Sequence, residues 1–426
     1  MCIRDRFLTS SSAGNVGIGT SSPAAKLDVV GRIGLNDGSN NVLVGDLAGD
    51  ALTTGSRNVA IRFNALTSED AHGYNTAIGY DSLKSLNAGA DAYNTALGYR
   101  SGYLVSTGLK NNLLGGFAGD ALTTGSNNVA IGYEALTTED TGSRNIAIGQ
   151  SALGSLNYDG NGYNIAIGHN AGVAVTTGIQ NTIIGGLAAD ALTTGGGNVA
   201  VGDRALSTED TGNYAVAVGY RALNAQNYDG SSYNVAIGTD AGLNVTTGIQ
   251  NTLVGGTAAD ALTTGEFNVA MGYGALGSAT DTDQTVAVGH GALAALNYSG
   301  DSNNTAVGHN AGGAATTAVQ SVFVGAFAGD AITTGQKNTA IGYNSLSTED
   351  EHGNNVAVGY SALKVQNAGA NAYNVAVGYD AGKSVTTGVD NVILGGSAGD
   401  ALTSGSSNIA IGRPVSYTHL TLPTKA

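Results

Sequence analysis

Short segments in which apolar and small residues alternate recur along this chain at a fixed spacing. One five-residue segment, Asn-Val-Ala-Ile-Gly with variants, begins at residue 58 and again at residues 128, 198, 268, 338 and 408. Successive side chains of a β-strand point to opposite faces. Positions 2 and 4 of the segment therefore share one face, and positions 1, 3 and 5 share the other. Each copy is predicted to be one short strand.

Three further series of this segment, beginning at residues 41, 75 and 94, have the same period of 70 residues. Together the four series divide each 70-residue unit into sub-repeats of 17, 17, 19 and 17 residues. A strand followed by a glycine-rich return of this length matches one coil of a β-solenoid. Coils stacked about 4.8 Å apart pair their backbones and share a core that one coil cannot build alone. We predict an all-β protein, a β-solenoid of 22 coils over residues 41–413.

Two columns of the repeat are predicted to be structural. Position 4 is aliphatic in every copy, so we expect Ile131, Val201 and Ile341 to lie in one buried column. Position 1 is usually Asn, which hydrogen-bonds along stacked strands and in turns. We expect the asparagines of the series that begins at residue 58 to form such a ladder. They are Asn58, Asn128, Asn198, Asn268, Asn338 and Asn408.

Position 5 is Gly in every copy except one, which ends in Arg62. Glycine is favoured where φ is positive or where another group approaches the backbone closely. Gly132, Gly202 and Gly272 are therefore predicted structural positions. Arg62 is predicted to strain its coil, so Arg62→Gly should stabilise the protein.

Tyrosine often follows the position-5 glycine, as at Tyr133, Tyr220, Tyr273 and Tyr343. We expect these side chains mainly to stack as a ladder. They are also candidate contacts for a glycan or protein receptor, because Tyr is a rigid aromatic with a hydroxyl group.

Composition and motifs argue against an enzyme. The sequence has no His-Glu-x-x-His motif, and its acidic residues do not follow the EF-hand spacing. His72 and His352 share one repeat position and are predicted to be solvated. We predict no catalytic residue, no cofactor and no metal site. The net charge of −15 disfavours nucleic acid, and no apolar run is long enough to insert into a membrane.

The ends of the chain differ from the repeats. Residues 1–6 and 414–426 resemble the translation of a sequencing adapter, and we expect them to be artefacts. Residues 7–40 lie outside the 70-residue register and are predicted to form a linking or capping segment. The repeat domain occupies residues 41–413.

The repeated Asn-Val-Ala-Ile-Gly-Tyr-x-Ala segments over residues 41–413 resemble the head repeats of YadA-type trimeric autotransporter adhesins. This resemblance implies a left-handed parallel β-roll and a homotrimer. Residues 14–31 resemble a segment that is common in phage and prophage tail fibres. Both resemblances imply a fibre that attaches to a host-surface receptor, on a virion or on a bacterial cell surface.

Three functions follow as alternatives. The first is the shaft or head of a phage tail fibre, and the second is a bacterial surface adhesin of the autotransporter kind. The third is an ice-binding solenoid, for which paired threonines such as Thr123-Thr124 and Thr176-Thr177 are the motive. A continuous flat threonine face is not expected, because the Thr-Glu-Asp coils interrupt these pairs.

Overall fold

The computed structural model describes residues 40–413 and, nearer the N-terminus, the backbone of three short strands. Those strands are β1 (Leu8–Ser10), β2 (Val16–Ile18) and β3 (Leu27–Val29). β1 pairs with β2 in antiparallel fashion, and β2 pairs with β3 in parallel. The two predicted adapter segments and the rest of the predicted linking segment lie outside the described residues.

The repeat domain contributes one three-residue strand per coil. Its strands are β4 (Val42–Val44), β5 (Val59–Ile61), β6 (Thr76–Ile78), β7 (Thr95–Leu97), β8 (Asn112–Leu114), β9 (Val129–Ile131), β10 (Ile146–Ile148), β11 (Ile165–Ile167), β12 (Thr182–Ile184), β13 (Val199–Val201), β14 (Val216–Val218), β15 (Val235–Ile237), β16 (Thr252–Val254), β17 (Val269–Met271), β19 (Val286–Val288), β21 (Thr305–Val307), β22 (Val322–Val324), β23 (Thr339–Ile341), β24 (Val356–Val358), β25 (Val375–Val377), β26 (Val392–Leu394) and β27 (Ile409–Ile411). A small extra pair, β18 (Thr282–Asp283) and β20 (Gly300–Asp301), lies in the returns.

Every strand from β4 to β27, apart from that extra pair, is parallel to the next and in register with it. At β10 and β11, for example, Ile146 lies opposite Ile165 and Ala147 lies opposite Ala166. Equivalent residues of successive coils therefore form straight columns. The predicted β-solenoid of 22 coils is confirmed. The described part of the chain contains no helix, and so none long and apolar enough to cross a membrane.

The predicted alternation of faces is correct, but the predicted choice of the inward face is wrong. Position 3 points inward, as Ala130 and Ala200 show with no exposed surface. Position 4 points outward. Ile131 and Ile341 are each 36% exposed, and Val201 is half-buried. The predicted buried column of position-4 residues is therefore an outer column.

The interior is narrow, which explains why the smaller residues face it. Leucines from the returns, such as Leu66 and Leu136, are fully buried and fill the space across from the position-3 alanines. Where position 3 is large, the return recedes. A Cβ on Gly119 would lie 2.9 Å from Leu113 Cδ2, so the large side chain and the glycine fit together.

The predicted asparagine ladder is present and buried along most of its length. The backbone N–H of Asn128 donates to Oδ1 of Asn111 at 2.9 Å, and Asn128 Nδ2 donates to the carbonyl of Gly142 at 2.8 Å. Each such Asn thus connects its own coil to the preceding coil and to the return that follows. Asn58, Asn198, Asn268 and Asn338 are equally buried, whereas Asn408 in the last described coil is exposed.

The position-5 glycines adopt a conformation that side chains rarely tolerate. Gly132, Gly202 and Gly272 have φ of 139°, 137° and 134°. A Cβ on Gly132 would lie 2.4 Å from the carbonyl oxygen of Gly149 in the next coil. Arg62 is held at φ 97°, in the left-handed range where L-residues are strained. Both reasons predicted for glycine here, positive φ and close approach, therefore apply.

Candidate binding surface

The most extensive apolar surface of the described chain is the outer face of the parallel sheet. We call its outer face the aliphatic face, defined as positions 2 and 4 of the 22 repeat strands. Position 4 is Val, Ile, Leu or Met throughout, and position 2 is Val, Ile or Thr apart from Asn112. Its most exposed position-4 members include Leu97 at 46% and Ile237 at 42%. Because the strands are in register, the position-4 side chains form an unbroken apolar strip, and the aliphatic face carries no charged residue.

The aliphatic face is long as well as apolar. Twenty-two strands at about 4.8 Å spacing give a rod of roughly 100 Å. Contiguous exposed apolar patches above a few hundred Å² are rare on monomeric soluble proteins and mark interaction sites. The shape and composition of this face therefore indicate a surface that another molecule covers.

A column of aromatic residues lies beside the aliphatic face, one residue after position 5 in most coils and two residues after it at Phe117 and Phe327. We call it the strand-end column. Tyr80 and Tyr99 stack with ring centroids 5.5 Å apart, and Tyr360 and Tyr379 stack at 5.1 Å. The stacked members form two runs. They are Phe63, Tyr80, Tyr99, Phe117 and Tyr133 in the first run, and Tyr273, His290, His309, Phe327, Tyr343, Tyr360 and Tyr379 in the second.

Between the two runs the strand-end column is mostly polar. Gln150, Asp203 and Thr239 take the positions that aromatic residues hold elsewhere. Tyr220 stands between Asp203 and Thr239 in this stretch. The Arg221 guanidinium lies 4.9 Å from the Tyr220 ring centroid and also forms an ion pair of 2.8 Å with Asp240 of the next coil. The middle of the rod therefore presents hydrogen-bonding and charged groups where both ends present aromatic rings.

A second set of aromatic residues precedes the position-1 asparagines, at the opposite end of the strands. Tyr74 and Tyr93 stack at 4.7 Å, and Tyr214 and Tyr233 stack at 5.6 Å with planes only 3° apart. All four have positive φ. The position was not singled out from the sequence, because Lys, Gln, Asn and Ser also occupy it and obscure the pattern.

The four tyrosines singled out from the sequence are all exposed. Tyr133, Tyr220, Tyr273 and Tyr343 have between 44% and 62% of their surface accessible. Three of them belong to the stacked runs, and Tyr220 does not stack on another ring in the described column. Their exposure fits both of the predicted roles, a structural ladder and a surface contact.

Neither the protein-family models nor the curated proteins include a match to this chain.

Proposed function

We propose that this protein is a homotrimeric structural fibre, the shaft or head of a phage tail fibre that contacts a host-surface receptor. The observation that carries the proposal is the uncharged aliphatic face that runs the length of the rod. A single chain leaves this face open to water, and two further copies would cover it. A bacterial surface adhesin of the same trimeric build is the alternative.

The energetics favour self-association through the aliphatic face. A fully buried Val, Ile or Leu side chain gains about 1.5–3 kcal/mol. Position-4 side chains that are about 40% exposed would gain on the order of 0.5–1 kcal/mol each. Ten position-4 side chains are at least 36% exposed, so together they would gain roughly 5–10 kcal/mol per chain, which is comparable to the about 4–15 kcal/mol lost on association.

A second copy is the natural occupant because its side chains repeat at the same interval along the rod. Ridges on one chain can therefore match grooves on another over every coil. The number three follows from the resemblance to trimeric adhesin heads. In such a trimer the strand-end column would border the covered face, where Tyr133, Tyr220, Tyr273 and Tyr343 could contact a glycan or a protein.

Sedimentation of the full chain tests the assembly. The triple variant Leu97→Asp, Ile237→Asp, Met271→Asp places three charges on the aliphatic face, where each side chain is already partly exposed. We expect the wild type to sediment as a trimer and this variant as a folded monomer or as aggregate. The matched control is Thr107→Asp, Thr177→Asp, Thr247→Asp, which adds the same charge to exposed returns and should remain trimeric. A wild-type chain that is a stable, folded monomer at micromolar concentration would refute the proposal.

Two observations test the rest. The coding sequence in its genomic context distinguishes the alternatives, because an intramolecular chaperone marks a tail fibre and a membrane anchor marks an adhesin. Thermal hysteresis tests ice binding. That function is disfavoured because the first Thr of each pair is used internally, as when Thr193 Oγ1 donates to the carbonyl of Asp210 at 2.8 Å.

A further inference from the structure

Two returns, one near each end of the rod, place a histidine against a buried carboxylate. Candidate ligand atoms of Glu349, Asp350 and His352 all lie within 4.8 Å of one another. The same arrangement occurs four units earlier, in Glu69, Asp70 and His72. Both groups sit in the return that follows a strand of the series beginning at residue 58.

The distances within each group suit a shared ion better than a hydrogen bond. His352 Nδ1 lies 3.4 Å from Glu349 Oε1, and His72 Nδ1 lies 3.5 Å from Glu69 Oε1. Neither Nδ1 makes a hydrogen bond, although both atoms are buried. Two ligands held about 2.0–2.1 Å from a tetrahedral zinc ion are about 3.3–3.4 Å apart. The observed spacing is close to that value.

The carboxylate at the C-terminal site has an oxygen without a partner. Glu349 has no exposed surface, and its Oε2 has no hydrogen-bond partner. Burial raises the pKa of this carboxyl, while the backbone N–H and the ring of His352 oppose the rise and Asp350 adds to it. A buried charge of this kind is costly unless it is paired or coordinates a metal.

The surrounding coils hold the backbone of the group in place. Asn338 Nδ2 of the asparagine ladder donates to the carbonyl of His352 at 3.0 Å. Thr333 donates twice to the carbonyl of Asp350, from its backbone N–H at 2.6 Å and from its hydroxyl at 2.9 Å. Asn58 and Thr53 hold His72 and Asp70 in the same way. The backbone that carries the three ligand residues is therefore held by the neighbouring coils.

Two 70-residue units nearer the middle of the rod, which we call the inner units, show that the histidine is not needed to bury the glutamate. Glu139 and Glu209 are equally buried, and Gly142 and Gly212 stand where the outer units have His72 and His352. In these units the glycine N–H donates to the glutamate Oε1 at 2.7 Å. The histidine thus adds something that the fold itself does not require.

We propose that Glu349, Asp350 and His352, and likewise Glu69, Asp70 and His72, bind a divalent transition-metal ion of the zinc class. One imidazole nitrogen with carboxylate oxygens is a donor set for Zn²⁺, Co²⁺ or Ni²⁺. The ion compensates the buried carboxylate, and water completes its coordination on the side where the His352 side chain is 23% exposed. The two outer units then each hold a metal ion in this return, whereas the two inner units, which have Glu-Asp-Thr-Gly at the same place, do not.

Titration of metal-stripped, full-length protein with Zn²⁺ by calorimetry, and with Co²⁺ by visible absorption, tests the proposal. We expect two equivalents per chain for the wild type. His352→Gly should bind one equivalent, and His72→Gly with His352→Gly should bind none at that affinity, a loss of more than about 100-fold per site. Glycine is the residue that the inner units carry, so these variants should fold. His352→Gln, which retains a bulky polar side chain without a ligating nitrogen, gives a second variant if they do not.

A matched control separates these sites from two other histidines of the repeat domain, His290 and His309. His290 and His309 stack at 5.1 Å in the strand-end column, and His290→Gln with His309→Tyr substitutes residues found at the equivalent positions of other units. This control should still bind two equivalents. Unchanged stoichiometry in the His72 and His352 double variant would overturn the proposal. So would an absence of Zn²⁺ and Co²⁺ binding to the wild type, which would leave only a histidine–carboxylate ion pair.

Discussion

The inner and outer faces of the repeat strands differ in how much their residues vary from copy to copy. The inner face carries Asn at position 1 in most copies and Gly at position 5 in all but one, while position 3 is Ala in three series and a large apolar residue in the fourth. The outer face accepts Val, Ile, Leu, Met, Thr and even Asn112. The inner residues must meet hydrogen-bond, volume and backbone requirements at once, whereas the outer positions accept aliphatic side chains of several shapes as well as Thr and one Asn. Substitutions should therefore have larger effects on the inner face than on exposed surfaces.

The largest loss of stability is expected at a position-5 glycine, where a positive φ and a close backbone contact both disfavour a side chain. Gly132→Ala should destabilise the protein by about 3–5 kcal/mol, since φ is 139° and the new Cβ would lie 2.4 Å from a carbonyl oxygen. The control is Gly116→Ala in the preceding coil, where the nearest atom would be 3.5 Å away. Denaturant unfolding of both variants measures the difference. Similar losses in the two would show that position 5 is not special.

A smaller loss is expected from the asparagine ladder. Asn128→Ala should cost about 2–4 kcal/mol, because it leaves the N–H of Asn145 and the carbonyl of Gly142 buried without these partners. The exposed Thr124→Ala, in the preceding coil, should change stability by less than about 0.5 kcal/mol. Hydrogen exchange at Asn145 gives a local readout beside the unfolding curve. Undiminished protection at Asn145 would contradict this account of the ladder.

Arg62→Gly tests the same glycine position by a substitution that is expected to stabilise the protein. Relief of the strain at φ 97° should raise stability by about 1–3 kcal/mol, measured as a higher melting temperature. Arg62→Ala removes the same charge but keeps a Cβ, so it should give little of this gain. An equal rise in both variants would assign the effect to charge instead of backbone strain.

The smallest effect concerns the carboxylates that the interior encloses. Burial raises the pKa of Glu139, against the hydrogen bonds from Gly142 and Tyr158 N–H groups. The folded state therefore binds this proton more tightly than the unfolded chain does. The contribution of Glu139 to stability is then highest at low pH, and it falls as pH rises from the unfolded pKa of about 4.3 through the raised folded pKa.

Glu139→Gln, which is neutral at every pH, should lose this dependence. Its stability relative to the wild type should rise as pH increases above the unfolded pKa of about 4.3, as followed by thermal unfolding at a series of pH values. Glu134→Gln removes the same charge from a half-buried site of the same coil. If the two variants follow identical pH profiles, burial of Glu139 is not the cause.

Much of the fold could be read from the sequence because a solenoid repeats its constraints. The 70-residue period, without insertion, fixed the number of coils and their register. The recurrence of Asn at position 1 and Gly at position 5 indicated the ladder and the strained turn, and Arg62 stood out against that background. Tyrosines after the glycine were expected to stack, and in two runs they do.

Other features depend on residues that only three-dimensional packing brings together. Strand alternation separates two faces but does not say which is inside when both are apolar. Here the returns supply buried leucines such as Leu66, and a glycine such as Gly119 where position 3 is large, and position 3 is the inward one. The Nδ1 of His352 near the buried Glu349 likewise depends on the path of one return and on Asn338 in the strand before it. The sequence by itself determined the coil, its length and its register, because these are periodic. Tertiary structure alone decided which face is buried and which polar groups meet, because both depend on the volume enclosed between stacked coils.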